Sequence, residues 1–176
     1  MSVGVLVGRF QPFHNGHLEA VRYALSKVDY LYIVIGSSQK SYERDNPFTA
    51  GERIAMIKAA LDSSDVAPAR WMAVPIPDTE AHALWPAILK ATIPPFKRVF
   101  TNDGLTTRLL KEQAIKVEAV PYLQRSSYSA TNVRNRILEM KQWEKLVPAL
   151  VASMVKEMGG VERVRSMIHK DLDRED

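Results

Sequence analysis

At 176 residues, 46% hydrophobic and 25% charged, the chain has the size and composition of one ordinary globular domain, which excludes fibrous and intrinsically disordered classes. It has no cysteine, so a disulfide framework, a thiolate metal site and a cysteine nucleophile are excluded as well. The formal charge of +4 suits an anionic ligand, but Lys and Arg form no block along the chain, so a nucleic-acid partner is not expected.

Val3 to Val7 is too short for a signal-peptide apolar core and lacks a basic start, so it is predicted as a buried first strand. A helix over Gly16 to Lys27 and a strand over Tyr30 to Ile35 follow. Thr49 and Glu52 form a T-x-x-E capping box ahead of the apolar positions Ile54, Met56, Ile57 and Leu61, which predicts a helix over Ala50 to Leu61. Strand Trp71 to Ile76 comes next, then a helix from Leu84 to Ala91, whose start is fixed because Pro86 is tolerated only in a first turn. Strand Arg98 to Thr101, helix Leu105 to Glu112 and a weaker strand over Ile115 to Val120 complete the alternation. Alternating strands and helices imply a parallel sheet with right-handed crossovers.

The last third is predicted as helical. Ser129 caps Thr131 to Met140, Pro148 opens Ala149 to Met158, and Gly159 with Gly160 ends that helix. Val161 to Asp176, ending Lys-Asp-Leu-Asp-Arg-Glu-Asp, is expected to be a solvated, frayed terminus. The fold class is therefore α/β: a Rossmann-like open parallel sheet of about five strands flanked by helices, with a helical C-terminal region. With no repeat or long linker, one domain over 1–176 is expected, its helical C-terminal part spanning about 129–176. No segment approaches the roughly 18 apolar residues of a membrane span and no lipidation motif is present, which implies a cytoplasmic protein with no membrane partner.

The segment Gly8-Arg9-Phe10-Gln11-Pro12-Phe13-His14-Asn15-Gly16-His17 joins the first strand to the first helix and holds one Arg and two His. In an open parallel sheet, ligands settle beyond the carboxyl ends of strands, where helix N-termini favour a phosphate. His14 and His17, three apart, can present both imidazoles to one anion as donors, and Gly16 between them leaves room for its approach. Incidental surface placement and half of a metal site are the alternatives; a zinc site needs further ligands, for which the chain offers only His82, His169 and carboxylates. Near the other end, Tyr128-Ser129-Ala130-Thr131-Asn132-Val133-Arg134 puts a capping Ser, a hydroxyl and a guanidinium within one turn, a set that clamps phosphate oxygens, or else an ordinary capped helix with a solvent-facing Arg. Arg136 points away from Arg134 by about 200° of helical rotation.

The Gly8 to His17 run resembles the H-x-G-H signature of the adenylyl- and cytidylyltransferase superfamily, in the form found in archaeal nicotinamide-mononucleotide adenylyltransferases. The second segment resembles the superfamily's I-S-x-T-x-x-R motif, with Tyr128 departing at its first position. Ile35-Gly36-Ser37-Ser38-Gln39-Lys40-Ser41 and Asn46-Pro47-Phe48-Thr49-Ala50-Gly51-Glu52-Arg53 resemble the archaeal family too, as do Trp143 to Pro148 and Gly160 to Arg163, so the likeness extends from Val5 to about Val164.

The resemblance implies transfer of AMP from ATP to nicotinamide mononucleotide (NMN), giving NAD and pyrophosphate. Arg9, His14, His17 and Arg134 would be the catalytic residues. Gly8, Phe10, Gln11, Gly16, Gly36, Ser37, Arg53, Trp85, Asn102, Asp103, Ser129 and Thr131 would contact the nucleotides. Trp85 matches the family segment whose Trp stacks on nicotinamide, although a core Trp on a helix face satisfies the same pattern. Arg53 is equally compatible with a surface partner for Glu52. Arg44 stands one position from a phosphate-binding Arg of some relatives, His82 replaces an Asn beside the base, and Thr101-Asn102-Asp103-Gly104 stands where relatives have S-G-N-P; Arg44, His82 and Arg136 are the outlying candidates. The implied cofactor is Mg²⁺ carried on the ATP phosphates with no metal ligand from the protein, and the implied assembly is a homo-oligomer, up to a hexamer. The same scaffold could instead adenylylate or cytidylylate nicotinate mononucleotide, FMN or phosphopantetheine, or act as a non-catalytic nucleotide sensor.

Overall fold

The computed structural model describes residues 1–121 and 128–172, with side chains described as far as Met167. The chain forms two compact units: Met1–Arg9, Glu19–Gln39 and Val66–Tyr122 make the first, and Phe10–Leu18, Lys40–Asp65 and Leu123–Asp176 the second.

The first unit holds a five-stranded sheet in the order β3-β2-β1-β4-β5. Its strands are β1 (Val3–Gly8), β2 (Tyr30–Ile35), β3 (Trp71–Pro75), β4 (Arg98–Phe100) and β5 (Val117–Glu118). All four pairings are parallel, with Val5 opposite both Tyr32 and Val99. Strands such as Val-Gly-Val-Leu-Val-Gly and Tyr-Leu-Tyr-Ile-Val-Ile read as nearly unbroken apolar runs because a parallel sheet is covered on both faces. Gly4 is required inside β1, since a Cβ there would lie 2.9 Å from the Phe100 ring and 3.1 Å from Val28. Val5, Val34, Ile76, Leu89, Ile93, Val99 and Leu110 form the apolar cluster of this unit. Leu89 and Ile93 come from α3 (Trp85–Thr92) and its C-cap, Leu110 from α4 (Gly104–Glu112). Order 3-2-1-4-5 makes β1 and β4 diverge into connections on opposite sides, which opens a crevice at their carboxyl ends. The last strand is shorter than Ile115 to Val120. Ala114 turns the chain at φ 55°, and the backbone N–H and C=O of Val120 are engaged by the Asn102 side chain at 2.9 Å each rather than by a neighbouring strand.

The second unit is helical. It contains α2 (Ala50–Asp62), α5 (Ala130–Leu138), α6 (Ala149–Glu157) and α7 (Gly160–Leu172), while α1 (Asn15–Leu25) begins here and continues into the first unit. The Thr49/Glu52 capping box is present in both directions. The expectation of a frayed end from Val161 onward is corrected: α7 continues to Leu172, and residues 173–176 lie outside the described residues, as does the side chain of His169. Val164 and Met167 give α7 a buried face despite its charged sequence. Gly159 ends α6 at φ 67°, and Gly160 is needed because a Cβ would lie 2.8 Å from both the Val155 carbonyl and the Phe48 ring. Among the described residues, no helix is long and apolar enough to cross a membrane.

Candidate active site

In the first unit, a cavity of about 360 Å³ opens at the carboxyl ends of the strands. Gly8 and Arg9 reach it from β1, Gly36 and Ser37 from β2, and Thr101 and Asp103 from β4. Trp85 and His82 line it from α3 and the short 3₁₀ turn before it. Trp85 also packs against the apolar cluster, so core packing and cavity lining are met by one ring. Ser37, at φ 49°, aims its hydroxyl at Asp78 and donates to Oδ1 at 3.0 Å; Gln39 reaches the other Asp78 oxygen at 3.3 Å. Asp103 caps α4 by accepting from the Thr106 backbone N–H at 2.7 Å. Asn102 does not line the cavity; its amide is spent on Val120. Asp78 and Thr106 are cavity residues that sequence reasoning did not single out, although Asp78 stands at the turn after β3, where such a residue is expected.

In the second unit, the two histidines face each other. Their rings stack with centroids 3.5 Å apart. The backbone N–H of His14 donates to Nδ1 of His17 at 3.2 Å, and that of His17 donates to Nδ1 of His14 at 3.3 Å. A nitrogen that accepts carries no proton, so each neutral ring keeps its single N–H on Nε2. Burial lowers the His14 pKa from 6.5 to about 4. Burial, and secondarily the neighbouring His14, holds His17 well below its ordinary value. Phe10 packs on His17 edge-on at 4.7 Å and Phe13 lies 5.4 Å from it, supplying the apolar surroundings that cause the shift. The pair therefore offers two uncharged Nε2–H donors at neutral pH.

Gly16 is set by this stack. A Cβ there would lie 3.0 Å from Cβ of Tyr128 and 3.1 Å from Cε1 and Nδ1 of His14, so the glycine makes room first for the imidazole. Gln11 is fully buried and holds the Phe48 backbone both ways, donating to its carbonyl at 2.9 Å and accepting from its N–H at 2.8 Å.

Ser129 caps α5 by accepting from the Asn132 N–H at 3.1 Å. Arg134, one turn on, is buried; it donates from Nη1 to the Gln11 carbonyl at 2.9 Å and from Nη2 to Asp45 at 2.8 Å, with the Thr131 hydroxyl at 3.5 Å. Arg136 is turned to the Gln142 carbonyl at 2.9 Å, and Arg44 is exposed. Arg53 is not a surface partner of Glu52. It is fully buried and donates to the carbonyls of Thr49 and Lys40. Glu52 instead forms a two-pronged pair with Arg163 at 2.7 and 2.9 Å, an arginine the motifs did not reveal. Among the described residues, no group of three or more His, Asp or Glu is placed to hold a metal ion.

Residues 5–136 match the model of the family described as cytidylyltransferase-like. The chain is 41% identical over 168 residues to the nicotinamide-nucleotide adenylyltransferase of Pyrococcus furiosus, covering 95% of this chain and 89% of that one. It is also 41% identical over 170 residues to the enzyme of that name from Methanolobus tindarius, covering 97% and 96%. The chain belongs to the archaeal nicotinamide-nucleotide adenylyltransferases of the cytidylyltransferase-like family. A solved structure of a bifunctional NMN adenylyltransferase/ADP ribose pyrophosphatase from Francisella tularensis, complexed with AMP and a Mn ion, shares the fold with a TM-score of 0.81. At 19% identity, it covers 97% of this chain and 52% of its own. Membership in the adenylyltransferases fits both halves of the geometry: a cavity at the strand ends and a set of phosphate-compatible donors.

Proposed function

We propose that the protein transfers AMP from ATP to NMN, forming NAD and pyrophosphate. A 5′-phosphate oxygen of NMN attacks the α-phosphorus of ATP, the bond from that phosphorus to the bridging oxygen breaks, and pyrophosphate leaves with the bond's electron pair. Charge stays on phosphoryl oxygens throughout, so no protein nucleophile is needed and positioning with electrostatic stabilisation carries the rate. ATP enters as its magnesium complex, the ion neutralising polyphosphate charge.

The observation that carries this reading is the reciprocal His14–His17 stack, which leaves both Nε2–H groups as preorganised neutral donors. We assign these donors and the Arg134 guanidinium to the phosphates, with the hydroxyl of Thr131 and the N-terminus of α5 beside Ser129 as further phosphate contacts. In the first unit, Trp85 supplies a face for the pyridinium ring, Asp78, Ser37 and Asp103 supply polar contacts for sugar hydroxyls, and Arg9 supplies a cation for a phosphate. Gly8 and Gly36 both line the cavity, and at Gly36, where a Cβ would lie 3.9 Å from the Gly8 carbonyl, the missing side chain leaves room for a ligand beside the backbone. By the same likeness to its relatives we propose a homo-oligomer, to be measured by light scattering.

The test is pyrophosphate release with ATP and magnesium against NMN, nicotinate mononucleotide, FMN and phosphopantetheine, with the product identified by mass. NAD from NMN is the expected result, and His17→Ala should lower kcat by about 10²- to 10³-fold while the fold persists. Turnover with none of the four, alongside tight ATP or NAD binding, would leave a nucleotide sensor in its place.

A further inference from the structure

A buried guanidinium has lost its hydration and needs an anion. The side chain of Arg134 is only 6% exposed, and it pairs with Asp45, whose side chain is 68% exposed. The contact is therefore one-sided. Arg134 depends on a partner, whereas Asp45 keeps most of its water and gives up little on leaving.

Asp45 sits in a turn closed by its neighbours. The Glu43 N–H donates to the Asn46 carbonyl at 3.3 Å and the Asn46 N–H donates back to Glu43 at 3.0 Å. The Asn46 amide adds a bond to the Glu43 carboxylate at 3.2 Å. Farther back, Tyr42 lies against the Arg163 guanidinium at 4.5 Å. With the turn held on both sides, Asp45 can release Arg134 by rotating its own side chain. An arriving phosphate offers the same oxygen acceptors with greater charge, so the exchange loses no hydrogen bond at the guanidinium.

We propose that Asp45 is a stand-in for phosphate. Its carboxylate holds the Arg134 edge in the empty protein and is exchanged for a polyphosphate oxygen on binding, so that this exposed side chain sets the affinity for ATP and pyrophosphate and assists pyrophosphate release. The proposal rests on Arg134 being a phosphate-binding residue, as assigned above.

The two consequences of removing the carboxylate have opposite signs. Asp45→Asn and Asp45→Ala take a competitor away from the bound state and a counter-ion away from the empty one. Calorimetric titration at fixed ionic strength with inorganic pyrophosphate and with magnesium ATP should show Kd lowered by about two- to five-fold, the range that exposed ion pairs support. NMN affinity should not move, and the ligand-free melting temperature should fall. Asp45→Glu should restore both values. Glu43→Gln makes the same charge change two residues away, without the Arg134 contact, and should leave pyrophosphate affinity as it was. Unchanged or weaker pyrophosphate binding in the two Asp45 variants, or equal tightening in Glu43→Gln, overturns the proposal. Wild-type NAD formation measured alongside separates the cases. If it persists while the Asp45 variants do not tighten, the stand-in alone is wrong; if the wild type neither forms NAD nor binds pyrophosphate, the assignment of Arg134 falls with it.

Discussion

The His14 ring makes stability depend on pH in a calculable way. In the unfolded chain it titrates at 6.5, whereas burial in the fold lowers this to about 4. Between those values the unfolded state binds the proton and the folded state does not, so acidification favours unfolding. The stability loss begins as pH falls through 6.5 and is complete once pH drops below the folded value. At pH 5, the ratio of the two binding polynomials corresponds to about 2 kcal/mol from this one ring, rising to roughly 3 kcal/mol below pH 4. His14→Gln removes the proton site while keeping an acceptor for the His17 N–H. Urea unfolding of both proteins at pH 7.5 and pH 5 then gives a double difference in which every titrating group outside the His14–His17 stack cancels to first order. The wild type should lose about 2 kcal/mol more than the variant over this interval. Equal losses in the two proteins would refute the claim that His14 is held neutral by burial.

Gly16→Ala would press a methyl group against a ring 3.1 Å away and shift His14 by a few tenths of an ångström. Because misplacement of about 1 Å costs on the order of 10²-fold, steady-state turnover should fall by about ten-fold with near-normal folding by circular dichroism. Trp85→Phe keeps apolar packing but reduces the stacking face, so KM for NMN should rise roughly three- to ten-fold with kcat within about two-fold. Arg163 and Glu52, 13% and 21% exposed, should show a coupling of about 1 to 3 kcal/mol in a thermal-unfolding double-mutant cycle over Arg163→Ala and Glu52→Ala.

The strands and capped helices were legible because their signals are local. Tyr30–Ile35 is an apolar run of strand length, and the Thr49/Glu52 box lies within four residues. The start of α3 followed from Pro86 for the same reason. The C-terminal helix was obscured because its charged residues and the Gly159-Gly160 pair outweighed the spaced Val161, Val164 and Met167. Within the candidate site, the stacked histidines could be foreseen as a pair, but not their mutual Nδ1 contacts, which depend on the bend of the loop. The burial of Arg53 and its separation from Glu52 left no local trace. Nor did the partner of Arg134, which stands 89 positions earlier in the chain.

The two units are interleaved along the chain, and this has a consequence for the order in which the protein takes shape during synthesis. Every strand of the sheet has been made once Glu118 leaves the ribosome. The histidine loop is completed later: the Gln11 side chain has Phe48 within reach before the sheet is finished, but the Gln11 carbonyl finds Arg134 only 123 positions on. Contacts this distant close slowly, because the chain entropy of the intervening loop is spent before any contact rewards it. The sheet is thus set early and the arginine fork late, and a nascent chain arrested before α5 carries all five strands but no Arg134.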